Sequence, residues 1–322
     1  MRIAIAALIA ACIAGAAGAQ PPAPPPGVPQ MPPIVVSDPG LTGVRIDRDG
    51  VFANFYPVNV HGPTVLFLGG SEGGLNPGGL RVVKALSDAG FNVLYLCYFG
   101  CPTTPPSLAE IPLESFDRAL AFLKSQPSVD PGRIVLLGGS KGAEAGLLVA
   151  ARHAELKAVV VGMPSSVAWP GITFTAAPKP GWTEGGKPLP YLPYAPFSSM
   201  AKGGIYALYN DALPAIAQHP DAVIPVERIE ARVMLVCGEA DSLWPSCPMA
   251  DQVQARLKAA GRPAATLLRY PNAGHAVLGL PVEPSNPNYS HLGALGGTAE
   301  GNAAARADAW PKIIAFLKAA VF

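Results

Sequence analysis

Charge is scarce in this chain. Asp, Glu, Lys and Arg make up 14% of its 322 residues, and they balance to a net charge of +1. No basic cluster is present, so nucleic acid is not expected as a partner, because phosphate binding needs dense Lys/Arg patches. After the N-terminus no apolar run is long enough to cross a bilayer, so no integral membrane span is expected in the mature chain. No Cys/His spacing reads as a zinc site. The Gly69–Gly74 stretch lacks both the Gly-Lys-Ser/Thr ending of a phosphate-binding loop and the third glycine of a dinucleotide fingerprint. Neither a metal nor a cofactor is therefore expected. There are no internal repeats, and nothing in the sequence specifies an oligomeric state.

What is present begins at the N-terminus. Arg2 precedes an apolar stretch that ends in Ala17-Gly18-Ala19. A basic start, a short apolar core and an Ala-x-Ala ending are the parts of an export signal, cleaved after Ala19. The competing reading is a membrane anchor, for which the stretch is short. A second alternative is lipidation at Cys12, which follows Ile9-Ala10-Ala11 in a lipobox-like order. Export to the periplasm or the exterior places the mature chain in an oxidising compartment. Four cysteines remain there, Cys97, Cys101, Cys237 and Cys247. Local pairing is favoured among three connectivities, against buried thiols at strand ends. Residues 20–40 are proline-rich and read as an extended linker. The globular domain is expected over 41–322.

Within that domain apolar strands alternate with helical patterns. Gly43–Asp47 and Val51–Tyr56 flank Arg48-Asp49-Gly50 and predict an edge hairpin. Strands are expected at Thr64–Leu68, Asn92–Cys97, Ile134–Leu137, Leu156–Val161, Ala231–Cys237 and Ala265–Tyr270. Helices are expected at 77–89, 114–125, from the Gly142 region to about Ala151, at 247–260 and at 303–319, the last containing Pro311. This alternation predicts an α/β fold with a mostly parallel central sheet and helices on both faces. Residues 163–228 break it with many prolines and with Trp169, Trp182, Tyr191, Tyr194 and Phe197. The stretch reads equally as an insertion over the site, a lid or pocket wall, or as an aromatic packing loop.

The strand at Ile134–Leu137 runs into Gly138-Gly139-Ser140-Lys141-Gly142, a G-x-S-x-G turn followed by a helix. That is the context of a nucleophile elbow: glycines on either side let neighbouring backbones approach, and the hydroxyl projects above the sheet. A serine needs a base, and the base an orienting acid. In an elbow fold these follow in the order acid, then histidine, on loops after later strands. Asp241 follows the strand ending at Cys237, with Glu239 as its rival. His275 follows the strand ending at Tyr270, whereas His61, His153, His219 and His291 sit poorly for the role. The oxyanion hole is expected from the backbone N–H of Lys141 and of Ser71, with Gly70 or Glu72 as alternatives to Ser71. The Lys141 side chain reads as a solvated residue at a helix start rather than a substrate ligand.

Four runs, Leu66–Gly74 (LFLGGSEGG), Gly138–Leu148 (GGSKGAEAGLL), Val236–Ser246 (VCGEADSLWPS) and Tyr270–Val277 (YPNAGHAV), stand in this order along the chain. Together with PGWTEGGKPLPYLPY in the insertion and LGGTAEGNAAARADAWPKIIAFL near the end, they resemble the C-terminal domain of acyl-CoA thioesterases and bile acid-CoA:amino acid N-acyltransferases. The resemblance covers about residues 41–322. It implies an α/β-hydrolase fold, a Cys or Ser nucleophile with Asp and His, and a small-molecule acyl substrate. It places those roles on Ser140, Asp241 and His275. A serine nucleophile favours hydrolysis of an ester, thioester or amide through an acyl-enzyme. The alternatives are acyl transfer to an amine and a non-catalytic binding protein on the same scaffold. An exported member is expected to act on substrates of external origin.

Overall fold

Each central strand carries apolar residues at both odd and even positions, and such a strand must be covered on two sides. The computed structural model describes residues 33–173 and 178–322. The export signal, Cys12 and most of the proline-rich stretch lie outside the described residues.

The hairpin forms as β1 (Val44–Arg48) and β2 (Val51–Tyr56). Its turn residues Asp49 and Gly50 both have positive φ, 55° and 71°, as a tight hairpin requires. Next come β3 (Gly62–Leu68), α1 (Pro77–Asp88) and β4 (Asn92–Cys97), then a short β5 (Ile111–Pro112) and α2 (Glu114–Ser125). The chain continues through β6 (Val129–Gly139), α3 (Lys141–Ala150) and β7 (Ala158–Gly162). The insertion adds β8 (Trp182–Glu184), β9 (Lys187–Pro188) and α4 (Met200–Asn210). Last are β10 (Arg232–Gly238), α5 (Ser246–Ala259), β11 (Thr266–Tyr270) and α6 (Ala299–Val321).

The main sheet has the order β1-β2-β4-β3-β6-β7-β10-β11, and β5-β8-β9 form a small second sheet. In the main sheet only β1/β2 and β2/β4 pair antiparallel. Alternation along the strands sorts the core into two faces. Leu66, Leu68, Leu136 and Leu235 pack with Phe116 and Leu120 of α2, Leu147 of α3 and Val253 of α5. Val65, Phe67, Leu137 and Val236 pack with Val83 and Leu86 of α1 and Ile313 and Leu317 of α6. Each fully buried aliphatic side chain contributes about 1.5–3 kcal/mol, so the two layers hold the strand ends, and the turns after them, in fixed register. Pro311 does not divide α6. The helix starts earlier than its apolar pattern, at an N-cap where the Thr298 hydroxyl accepts from Gly301 N.

The insertion is more ordered than its composition suggests. It holds α4, interrupted by Gly203 and by Gly204 at φ 60°, a pair that erases the helical signal in the sequence. Its tryptophans turn inward. Trp182 meets Tyr98 and Phe116, while Trp169 stacks on Tyr194 and meets Tyr209 edge-on. Tyr209 in turn packs against Trp244. The packing-loop reading therefore describes most of these aromatics.

Candidate active site

Strand β6 ends one residue before Ser140, and α3 begins one residue after it. The reversal forces Ser140 to φ 55°, ψ −121°. A non-glycine residue held in so sparsely populated a region costs about 1–3 kcal/mol. The flanking glycines are required sterically. A Cβ on Gly138 would stand 2.2 Å from Gly142 O, and one on Gly142 would stand 2.3 Å from Gly69 O. Strand, turn and helix thus cross at distances that no larger residue allows.

His275 reaches this serine from the loop after β11. Its Nε2 lies 2.9 Å from Ser140 Oγ, and its Nδ1 lies 2.9 Å from Asp241 Oδ2. Asp241 and His275 are both buried. Asp241 is held by more than the imidazole. Its Oδ1 accepts from the N–H groups of Leu243 (2.9 Å) and Trp244 (3.2 Å), and its Oδ2 accepts from Ser246 Oγ (2.8 Å). Glu239 is excluded from this arrangement; it is exposed and pairs with Arg269 at 3.3 Å. His61 and His153 are engaged by carboxylates elsewhere, Asp130 for the first and Asp117 with Glu155 for the second.

Two supporting residues carry no signal in the sequence. Ser246 opens α5 and meets Asp241 only through the fold. Asn302, buried in α6, accepts from Gly274 N at 3.0 Å and donates to Gly296 O and Thr298 O. It fixes the backbone directly before His275. The ring of Trp244 also meets the His275 ring edge-on at 5.7 Å.

The cysteines pair locally, Cys97 with Cys101 and Cys237 with Cys247. The second bond ties the end of β10 to the start of α5 and closes the loop that carries Asp241 and Ser246. Replacing both Cys237 and Cys247 by serine is expected to lower stability by about 2–3 kcal/mol, read from denaturant unfolding with and without reductant.

Gly70 N donates to Glu72 Oε1 at 2.9 Å. Among the described residues the N–H groups of Ser71, Glu72 and Lys141 have no hydrogen-bond partner. Lys141 is the first residue of α3, where the N–H is free by helix geometry.

The Lys141 side chain corrects the sequence reading. It is buried rather than solvated, and its Nζ pairs with Glu144 Oε2 at 2.7 Å, above the Trp182 ring. Burial pushes the ammonium below the ordinary lysine range, and Glu144 opposes that shift. Glu144 also accepts from Trp182 Nε1 (2.6 Å) and Trp169 N (2.9 Å). One carboxylate therefore fastens the insertion to the first turn of the helix behind Ser140. Glu144→Gln leaves a buried cation without its partner and is expected to cost about 3–5 kcal/mol, measured as a fall in unfolding free energy.

Ser140 and His275 open into a cavity of about 810 Å³ that also includes Ser71. Its apolar wall comes from Leu278, Leu292 and Trp310, beyond His275, and from Met163 at the start of the insertion. The tryptophans of the insertion pack elsewhere, Trp182 and Trp169 against Glu144 of α3 and Trp169 through Tyr209 against Trp244. Among the described residues no helix is long and apolar enough to cross a membrane.

The comparisons with known proteins agree with the motif resemblance. The family model "BAAT / Acyl-CoA thioester hydrolase C terminal" matches residues 111–322. The mouse mitochondrial acyl-coenzyme A thioesterase 2 is 32% identical over 246 residues, covering 74% of this chain and 52% of that protein. The mouse acyl-coenzyme A amino acid N-acyltransferase 1 is 30% identical over 253 residues, covering 75% and 57%. The chain thus spans little more than half the length of these relatives. Among solved structures, a dienelactone hydrolase-like promiscuous phosphotriesterase from metagenomic libraries superposes with TM-score 0.55 at 17% identity, covering 87% of this chain and 99% of that one. A hyperthermophilic esterase from the archaeon Pyrobaculum calidifontis gives 0.53 at 17%, covering 86% and 82%. These two likenesses speak to the fold. With the sheet order they show the α/β-hydrolase fold, and the family model with the 32% identical relative establishes that the chain belongs to the BAAT / acyl-CoA thioester hydrolase C-terminal family.

Proposed function

We propose that this protein is a serine hydrolase that cleaves an ester, thioester or amide of a carboxylic acid. The observation that carries the reading is the continuous relay of 2.9 Å contacts from Ser140 through His275 to Asp241, set on a strained serine. His275 Nε2 takes the Ser140 proton as Oγ attacks the acyl carbon. Asp241 keeps the other ring nitrogen protonated and stabilises the imidazolium that forms. The carbonyl oxygen becomes an oxyanion held by the N–H groups of Ser71 and Lys141. His275 then returns its proton to the leaving group, which departs and leaves an acyl-enzyme on Ser140. Water, deprotonated by the same imidazole, releases the acid and restores the serine.

The thioesterase relatives support a thioester as one substrate, and the N-acyltransferase relative supports an amine as a rival acceptor to water. Two disulfides fit an oxidising compartment, and with the N-terminal signal they favour an exported enzyme acting on substrates outside the cytosol. A panel of chromogenic esters, thioesters and amides, run with and without added amino acids, tests the reading. Free acid is the expected product in both conditions. N-acyl amino acid as the main product would replace hydrolysis by acyl transfer.

A further inference from the structure

The cavity that holds Ser140 carries two guanidinium groups which the chemistry above does not use. Arg81 lies in the first turns of α1, and Arg306 lies in α6; both line the cavity with Ser140 and His275. Arg306 is fixed in place. Its Nε donates to Ala276 O at 2.6 Å, on the residue directly after the base. Its Cζ lies 2.9 Å from where a Cβ on Gly279 would stand, so the guanidinium rests on bare backbone at φ 145°.

Neither arginine is neutralised. Among the described residues no carboxylate comes within ion-pair distance of Arg81 or Arg306. The carboxylate that lines the cavity, Glu72, is committed to its own loop, where Oε1 accepts from Gly70 N and from Asn76 Nδ2. Burial, followed by the like charge of Arg81, lowers the Arg306 pKa to about 10, which still leaves it a cation at neutral pH. A half-buried cation with no counter-ion, beside a second cation, is unfavourable in the free protein. A ligand oxyanion relieves that cost, and a guanidinium presents paired N–H donors suited to it.

We propose that Arg306 and Arg81 form an anion subsite in the catalytic cavity, selecting substrates that carry a carboxylate or a phosphate in addition to the scissile acyl group. The inference rests on the hydrolase reading for the identity of the scissile bond. The apolar wall of Leu278, Leu292 and Trp310 receives the hydrocarbon part of such a substrate, and the arginines receive its charged end.

Matched substrates test the subsite and distinguish its two sources. One pair is p-nitrophenyl butyrate against mono-p-nitrophenyl glutarate. The other is a butyryl thioester of a phosphorylated thiol against the same thioester without phosphate. The anionic member of at least one pair is expected to show about tenfold or higher kcat/KM, and the pair that does so identifies carboxylate or phosphate. Arg306→Gln and Arg81→Gln each reduce that ratio by about tenfold, Arg306→Lys retains part of it, and Lys84→Gln, on the exposed side of α1, leaves it unchanged. Arg81 is exposed, so its variant keeps the test sound even where Arg306→Gln disturbs folding. Calorimetry on Ser140→Ala supplies a readout independent of turnover. Glutarate or inorganic phosphate binds, and binding is lost on adding Arg306→Gln or Arg81→Gln. No anionic preference together with no anion binding, or a preference that survives both arginine variants, overturns the subsite. If the protein cleaves no ester, thioester or amide, the hydrolase reading fails while calorimetry still decides the subsite.

Discussion

Ser140→Ala is expected to lower kcat on any substrate the protein cleaves by a factor on the order of 10⁶, as removal of the nucleophile does in serine hydrolases. The loss is this large because Ser140 and His275 act as one unit: without Oγ the imidazole has no proton to take and no acyl acceptor to activate. The fold should survive. Removing a hydroxyl leaves φ 55°, ψ −121° as strained as before, and the two core layers do not touch the change. Ser140→Gly separates the two properties further. It removes the nucleophile and also relieves the backbone, so it should be inactive and more stable than Ser140→Ala by about 1 kcal/mol. Steady-state rates beside thermal melts of the two variants check both statements. Undiminished turnover in Ser140→Ala would move the chemistry to another residue.

Asp241→Asn is expected to cost about 10⁴ in kcat with little change in geometry. The reason lies in the number of donors already aimed at this side chain. Leu243 N, Trp244 N and Ser246 Oγ occupy the carboxylate beside His275. An amide brings two N–H donors of its own and cannot accept from all four. If its NH₂ faces His275, Nδ1 becomes an acceptor and the ring proton moves to Nε2, where it blocks removal of the Ser140 proton. If its oxygen faces His275, the NH₂ meets the N–H groups of Leu243 and Trp244. The second orientation keeps the productive tautomer but sets donor against donor, so the first, with the unproductive tautomer, is favoured. Ser246→Ala removes one donor and leaves the carboxylate, so its effect should be far smaller. The ratio of the two losses, measured on one substrate, separates tautomer control from general loosening of the loop.

The part of the site that could be read from the sequence was the part encoded locally. Ser140, Asp241 and His275 each follow an apolar strand by a few residues, at a turn containing glycine, and in a parallel sheet such turns gather at one edge. Strand and helix positions were readable for the same reason, since burial of β3, β6 and β10 on both faces leaves continuous apolar runs that need no partner to be recognised. What required the fold was juxtaposition. Ser246 and Asn302 are ordinary polar residues in helices until tertiary packing brings them to Asp241 and Gly274. Lys141 looks like a solvated residue at a helix start, and only Glu144 with Trp182 explains its burial. Arg81 and Arg306 are 225 positions apart (306 − 81) and share a cavity only after α1 and α6 pack on the same face of the sheet. The insertion hid α4 because Gly203 and Gly204 interrupt its periodicity, and because its buried aromatics obey packing rather than a repeat.

Ser140 is expected to carry the acyl group, and labelling of the folded, oxidised protein with a fluorophosphonate, followed by peptide mapping, tests this. One adduct is expected, on the peptide containing Ser140, with loss of hydrolysis in proportion to labelling and no adduct in Ser140→Ala. An adduct on a different residue, or full hydrolysis with Ser140 unlabelled, would contradict it.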